Sequence, residues 1–491
     1  EPPRRPPGIP ARLGGTPPVW VGIAGIGAEW AIRIGLTPIV IRKRDAQASL
    51  AWLAFIYFIP WVGAIFYLFL GEVDLGKRRS GRHERASREL RDKLDLHYDD
   101  ETLSPNIPNA QRDLVRLCER TGGSRALAGN SARPITDMKD FVDALVADID
   151  EARSSVHLIF YIWGCDSTAR AVELALLRAV KRGVTVRILI DAVGSKKMLQ
   201  TRRRELTNAG VEIAACLPVS PFRRAFARVD LRNHRKLVVV DGRVAYVGSH
   251  NLIDPHYDSK TYGPWHDLSA RITGPAVTEL QAVYAEDWNA ETGELPLDDE
   301  LYPRLERTGA TPVQVAPSGP AGRPEAFRWL AVAALHEAER RVVITSPYMA
   351  LDESALRALQ LTAMRGVDVL ILLPKRSNHP LVMAACRAQY ETLLEAGVDI
   401  RLHQEGLLHA KTMTIDNAFV LGGSGNLDMR SFLLNFELNT ILYGPEATAA
   451  VLREQERYLE KSRRLTLEEW QSRPRWRRTL DRLAMLASPL L

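Results

Sequence analysis

Two stretches of the chain carry the same reactive residues in the same order. RNHRKLVVVDGRVAYVGSHNL (232–252) holds His234, Lys236, Asp241, Gly248, Ser249 and Asn251. LLHAKTMTIDNAFVLGGSGNL (407–427) holds His409, Lys411, Asp416, Gly423, Ser424 and Asn426, each 175 residues further on. Two imidazoles facing one another can supply a nucleophile and a general acid. Two lysines add point positive charge, and the Ser and Asn side chains add neutral donors. That set suits the non-bridging oxygens of a phosphate diester, whose charge must be stabilised during displacement at phosphorus. A single His-x-Lys is more often surface decoration, but duplication of the whole pattern argues against that. Metal-ligand spacing is absent, because lysine is not a normal ligand, so neither metal nor cofactor is expected.

The elements that must position these residues are legible around them. Each histidine and its lysine alternate ahead of a β-branched run, so the pair shares one face of a strand. VHLIFYIW (156–163) and VVITSPYM (342–349) read as strands followed by helical patterns. KRGVTVRILID (181–191) then matches MRGVDVLILLP (364–374), and NAGVEI (208–213) matches EAGVDI (395–400). This strand–helix rhythm predicts an α/β fold of two tandem α/β/α units in a pseudo-two-fold arrangement, with the site at their shared face. The divisions expected are a tail 1–18, a membrane-anchoring segment 19–71, a linker 72–135, a first unit 136–305, a second unit 306–470 and a basic amphipathic tail 471–491.

Ala48 to Leu70 is 23 residues without a charge, long enough to span a bilayer core. Pro60 would kink such a helix or turn it into a re-entrant hairpin. Val19 to Ile41 is a second apolar run, spanning or interfacial, in which Glu29 and Arg33 can pair at i, i+4. Lys77, Arg78, Arg79, Arg82, Arg85 and Arg88 outnumber Arg42, Lys43 and Arg44, which predicts a cytoplasmic location for the large C-terminal part. Cys118, Cys165, Cys216 and Cys386 form no CxxC pair and suit a reducing compartment. The formal charge of +6 suits an anionic partner, lipid surface or nucleic acid. In PFRRAFARVDLRNHRK (221–236), Arg223, Arg224 and Arg228 interleave with Phe222 and Phe226, and the loop is expected at the bilayer surface.

HxK, four residues, Asp, six residues, Gly-[GS]-x-Asn resembles the pattern of the phospholipase D superfamily, present here twice. LGKRR, FYIW, RNHRK, DW (287–288), LLHAKT and NLDMRSFLLNFELN extend the likeness to the bacterial cardiolipin synthases over residues 19–491. The resemblance implies that two phosphatidylglycerols give cardiolipin and glycerol at the bacterial inner membrane, on its cytoplasmic side. His234 would be the nucleophile and His409 the acid/base, with the reverse order open. Lys236, Lys411, Ser249, Asn251, Ser424 and Asn426 would hold phosphate, and Asp241 and Asp416 would be buried, ion-paired structural acids. Glu437, 11 residues past Asn426, and Asp267 in PWHDL would orient the histidine rings. His250, where the family often has Met, either lines the glycerol pocket or points away from it. His266, His379 and His403 read as peripheral. Expected partners are phosphatidylglycerol, cardiolipin and anionic membrane lipids, without nucleic acid, and a homo-oligomer stays open. A nuclease, a hydrolysing phospholipase D and a non-catalytic lipid scaffold are the rivals. The membrane segments argue against the first and the completeness of both motifs against the last.

Overall fold

The computed structural model describes residues 19–42, 46–71, 75, 77–95, 97–218, 230–257, 263–322 and 324–486. Its chain falls into two compact units, one within Glu1–Val73 and one made of Asp74–Ser220 and Asp230–Leu491. Residues 221–229, with Arg223, Arg224 and Arg228, lie outside the described residues, as does the tail 1–18.

In the N-terminal unit the long apolar helix is α1 (Val19–Ile41), of which Ala24–Ile41 is long and apolar enough to cross a membrane. Glu29 and Arg33 pair on it at 3.2 Å. The expected span from Ala48 to Leu70 is instead two helices, α2 (Ala46–Phe58) and α3 (Pro60–Leu70). Proline has no N–H and disfavours the helical conformation in the residue before it, and Ile59 stands at φ −136°, ψ 74°. The two helices fold back on each other. Trp52 meets Tyr67 edge-on at 5.4 Å, and Phe55 meets Phe66 at 5.8 Å. Gly63 permits the approach, since a Cβ there would lie 2.8 Å from the Ile56 Cα. At 1.5 Å per residue, neither arm reaches the ~30 Å of a hydrocarbon core. The segment forms a hairpin.

The second unit is built on one continuous sheet. Its first half supplies β1 (Leu127–Ile135), β2 (Ser155–Phe160), β3 (Thr185–Asp191), β4 (Glu212–Cys216), β5 (Leu237–Val240), β6 (Val244–Gly248), β7 (Trp265–His266) and β8 (Ser269–Thr273). Its second half supplies β9 (Thr311–Ser318), β10 (Arg341–Thr345), β11 (Asp368–Pro374), β12 (Asp399–His403), β13 (Leu407–Leu408), β14 (Thr412–Ile415), β15 (Phe419–Gly423), β16 (Glu437–Tyr443) and β17 (Ser462–Arg464). The order β1-β8-β6-β5-β2-β3-β4 is repeated as β9-β16-β15-β14-β10-β11-β12, with β17 added at the outer edge. The halves join where β1 pairs antiparallel with β9. β7 and β13 form a separate parallel pair. The expected two α/β/α units in pseudo-two-fold arrangement are therefore present.

Helices cover both faces. In the first half Met138–Glu151 and Ser167–Lys181 pack on one side, and Ala276–Thr292 on the other. β5 shows why its sequence is apolar throughout: Val238 and Val240 enter one core, and Leu237 and Val239 enter the other. In the second half Met413 and Ile415 enter the core, while Thr412 and Thr414 bond to Gln455 on the helix Pro445–Glu460. Asp166 and Asp352 cap the helices Ser167–Lys181 and Glu353–Met364 at equivalent places, each accepting from a first-turn N–H.

Two expectations need correcting. Residues 72–135 are not a detached linker. β1 lies inside the sheet, and α4 (Lys77–Leu94) packs Ala86, Leu90 and Leu94 against Ala282, Ala285 and Tyr302. Asp241 and Asp416 are half-buried and, among the described residues, unpaired with any cation. Both adopt left-handed backbone, at φ 52° and 51°, in the turns after β5 and β14. The Asp241 carboxylate accepts from the N–H groups of Arg153, Ser154 and Ser155 at 2.8–2.9 Å. Asp416 accepts from those of Glu339, Arg340 and Arg341 at 2.6–2.8 Å. They tie strand ends together, on the far side of their strands from the histidines.

Candidate active site

Each histidine stands just before its strand, where the backbone of one half bonds to the other. His234 N–H donates to the Phe436 carbonyl at 2.9 Å, and Phe436 N–H to the Arg232 carbonyl at 2.9 Å. The same arrangement sets His409 N–H on the His266 carbonyl at 2.8 Å, beside the β13–β7 pair. Phe436 and His266 each precede an acid, so these bonds bring the acid of one half under the histidine of the other.

The acids are therefore exchanged. His234 Nδ1 lies 3.0 Å from Glu437 Oε2, and His409 Nδ1 lies 2.5 Å from Asp267 Oδ1. A carboxylate at Nδ1 fixes the tautomer that keeps the proton there and leaves Nε2 with a lone pair. Both acids are themselves held. Glu437 accepts from Ser424 Oγ at 2.5 Å, Ser431 Oγ at 2.9 Å and Asn435 Nδ2 at 3.2 Å. Asp267 accepts from Ser249 Oγ at 2.6 Å.

This overturns part of the expected phosphate cradle. A serine hydroxyl has one proton, and Ser249 and Ser424 give theirs to the carboxylates, so they brace the acids instead of meeting phosphate. Their Oγ atoms also accept the N–H groups of Leu268 and Leu438, both at 2.9 Å. Asn251 accepts the Ile162 N–H through Oδ1 at 3.1 Å, and the Asn426 Oδ1 is buried without a partner.

The two lysines are buried beside their histidines, each donating Nζ to the carbonyl of its own histidine, at 2.6 Å for Lys236 and 2.5 Å for Lys411. Burial lowers Lys236 to about 7 and Lys411 to about 8, against the pull of Glu437 and Asp267. Burial also holds both imidazoles well below the usual histidine range, with the neighbouring lysines adding to it and the acids opposing it. These shifts favour neutral rings over ionised acids. Among the described residues no three metal-ligating side chains cluster.

Other residues of the site escaped sequence reasoning. The Tyr161 ring stands edge-on to His234 at 5.0 Å, and Trp265 lies 4.6 Å from His409. Tyr161 occurs in FYIW, which carries the family likeness, and Trp265 stands two residues before Asp267, but nothing in their spacing marks them. Arg235, between His234 and Lys236, is buried. Its Nη1 meets Asp287 Oδ1 at 2.6 Å, and its Nε donates to the Glu437 carbonyl at 3.0 Å. It pins the strand that carries the acid. His250 points away from the site, stacked 4.6 Å from Phe141 with Nδ1 2.9 Å from Ser269 Oγ.

The chain is similar to known proteins along most of its length. A family described as "Cardiolipin synthase, PLD-like domain" matches residues 145–282 and 331–459, and one described as "Phospholipase_D-nuclease N-terminal" matches 33–72. The chain is 37% identical to cardiolipin synthase A of Pectobacterium carotovorum over 94% of its own length and 97% of that protein's. It is also 37% identical to cardiolipin synthase A of Yersinia pseudotuberculosis, over 96% and 98%. A phosphatidylserine synthase structure from Haemophilus influenzae superposes with a TM-score of 0.57 at 15% identity, covering 77% of this chain and 100% of that one. That likeness is one of fold.

Proposed function

The chain belongs to the cardiolipin synthases with PLD-like domains, phosphatidyltransferases of phospholipid synthesis, and on that premise we propose that it joins two phosphatidylglycerols into cardiolipin and glycerol. The observation that carries the reading is the exchanged bracing of the two histidines, which presents two Nε2 atoms at one seam with two buried lysines. His234 Nε2 attacks phosphorus, and the bond from phosphorus to the leaving glycerol oxygen breaks. His409, as imidazolium, gives that oxygen its proton. The phosphatidyl-histidine is then attacked by a glycerol hydroxyl of the second phosphatidylglycerol. His409 takes the hydroxyl proton, and the phosphorus–nitrogen bond breaks.

Burial keeps both rings neutral before substrate binds, so His409 takes up its proton from water as the substrate enters. An anionic phosphodiester between the rings offers a counter-charge and raises their proton affinity. Lys236 and Lys411 offset the charge on the non-bridging oxygens, and Asn251 and Asn426 offer amide groups nearby. Because lysines carry that charge, turnover is expected to survive EDTA. Complete loss, restored by a divalent ion, would remove the histidine route. The N-terminal apolar helix and the relatives support membrane association, and we place the catalytic unit at the cytoplasmic face of a bacterial inner membrane.

Phosphatidylglycerol vesicles supplied to the full chain test the reading. Cardiolipin with equimolar glycerol is expected. Phosphatidic acid with glycerol and no cardiolipin would make the enzyme a hydrolase.

A further inference from the structure

The helix Arg475–Leu486 packs Ala484 and Met485 inward but leaves a second apolar stripe facing out. Its acid faces inward: Asp481 is buried, bonded to Arg387 at 2.9 Å and to Arg473 at 2.8 Å. Arg478, on the same inner side, bonds Glu391 at 3.0 Å. These polar clamps fix the rotation of the helix. Its outer face therefore carries Trp476, Leu480 and Leu483, at i, i+4 and i+7, with exposures of 59%, 54% and 55%. Arg475, Arg477 and Arg482 stand exposed around that stripe, and the Arg477 guanidinium lies 5.2 Å from the Trp476 ring.

We propose that this helix is a lipid-docking element, which lays Trp476, Leu480 and Leu483 into the interface of an anionic bilayer with the arginines on lipid phosphates. The inference rests on the proposed reading, in which the substrates are anionic lipids. Three apolar side chains are far too little surface for a stable protein interface, which needs roughly 1,200 Å² or more. Partition into a bilayer has no such threshold and adds up side chain by side chain. From Arg473 to Arg482 there are five arginines and one acid, and that acid is already neutralised from within. The outward charge is therefore positive, which complements anionic lipid.

The helix is also joined to the site. It packs against the helix Pro380–Arg387, whose preceding residue His379 lies 5.7 Å from the Tyr348 ring. Tyr348 donates to Asn378 Oδ1 at 2.5 Å, and its carbonyl accepts from Ser346 Oγ at 2.5 Å. Ser346 Oγ in turn accepts the N–H of Leu427, next to Asn426, at 3.5 Å. Docking the helix would bring the rim of the second motif down to the lipid surface.

The test uses the full chain in phosphatidylglycerol–phosphatidylethanolamine proteoliposomes, in a Cys165→Ser background because the other three cysteines are buried. An environment-sensitive fluorophore is placed at Leu480→Cys, at Leu483→Cys and, as a remote control, at Lys181→Cys. Quenching by nitroxide-labelled lipids at 480 and 483 but not at 181 is expected. No quenching at 480 and 483, or equal quenching at all three, overturns the proposal. Shielding that follows protein concentration in detergent, without lipid quenching, would make the occupant a second copy. Leu480→Glu with Leu483→Glu should lower kcat/KM on vesicles roughly tenfold. The rate on dispersed short-chain phosphatidylglycerol should hold, and an equal fall on both substrates overturns the docking role. A wild type that shows the quenching but makes no cardiolipin refutes the proposed function and leaves this inference standing.

Discussion

The residue beneath His234 is Phe436, and its counterpart beneath His409 is His266. Phe436 sits among Leu75, Leu231 and Leu434, with the Arg235 guanidinium 5.5 Å from its ring. His266 sits 5.4 Å from the His403 ring and 6.5 Å from Tyr458. The Nε2 atoms of both histidines and the Tyr458 hydroxyl are buried there without a partner. The residue inside the motif differs in the same sense: Arg235 in the first half, Ala410 in the second. One histidine thus rests on an apolar, cation-braced floor, and the other on a polar floor that can itself take up protons. A duplicated motif can present equal reactive atoms with unequal backing. The rigid side suits a nucleophile whose ring must not move, and the polar side suits a group that must gain and lose a proton in each turnover.

Replacing the histidines breaks that comparison most severely. Either change to Ala should lower turnover by at least ~10²–10⁴-fold, and more where the nucleophile is lost. With a phosphatidyl-p-nitrophenol donor, whose leaving group needs no proton, His409→Ala should accumulate an acid-labile phosphohistidine and His234→Ala should form none. The opposite pattern would reverse the roles. An adduct on neither, with cardiolipin still made by the wild type, would remove the covalent step.

The exchanged acids offer a finer cut. With the phosphatidyl-p-nitrophenol donor, whose first step asks no proton of His409, Glu437→Gln should slow formation of the adduct and Asp267→Asn its transfer to the second lipid, each by about 10²-fold or more. Single-turnover kinetics separate the two steps, and slowing of the same step by both variants would sink the division of labour.

Arg235→Ala probes the braced floor alone. It leaves the buried Asp287 without its cation and with Asn233 Nδ2 as donor, a loss of ~3–5 kcal/mol that thermal denaturation would register.

The pH dependence carries the smallest effects. Lys236 and Lys411 lose charge as pH rises through about 7 and about 8, so kcat/KM should fall across that interval. Bound phosphodiester favours the charged amines, so the fall in kcat should come at higher pH. Burial, followed by the influence of His403, holds His266 below its ordinary range, so it charges only on the acid side. Charged there, it would resist protonation of His409. His266→Phe, which copies the other floor, should therefore raise the acid limb of kcat by about a few tenths of a pH unit. The groups facing His266 include His403, Asp267, Lys461 and Glu405, and a full unit or no movement would each break the link to His409.

The two motifs, the repeat and the α/β rhythm were legible because 175-residue spacing and β-branched runs are local facts of the chain. Glu437 and Asp267 were named as the orienting acids through the family likeness, but which histidine each one serves was not legible. Asn251 to Asp267 spans five more residues than Asn426 to Glu437, which hides their equivalence, and crossing between halves is a property of the assembled sheet. The serines were misassigned because Gly-Ser-x-Asn gives the side chains without their direction, and only the fold turns them onto the carboxylates. The hairpin at Pro60 was an open alternative that composition cannot decide, since 23 uncharged residues look the same whether straight or folded back.

The exchange of acids also has a bearing on when the enzyme comes into being. His234 leans on a carboxylate 203 residues downstream of it in the chain. At roughly 5–20 residues per second of synthesis, that is about 10–40 seconds after the histidine itself is made. His409, by contrast, meets an acid already translated. Until Glu437 has emerged, a nascent chain holds His234 without its orienting carboxylate, so on the proposed mechanism the first half alone cannot begin to react with lipid. On that mechanism, catalysis waits for the second half to be made.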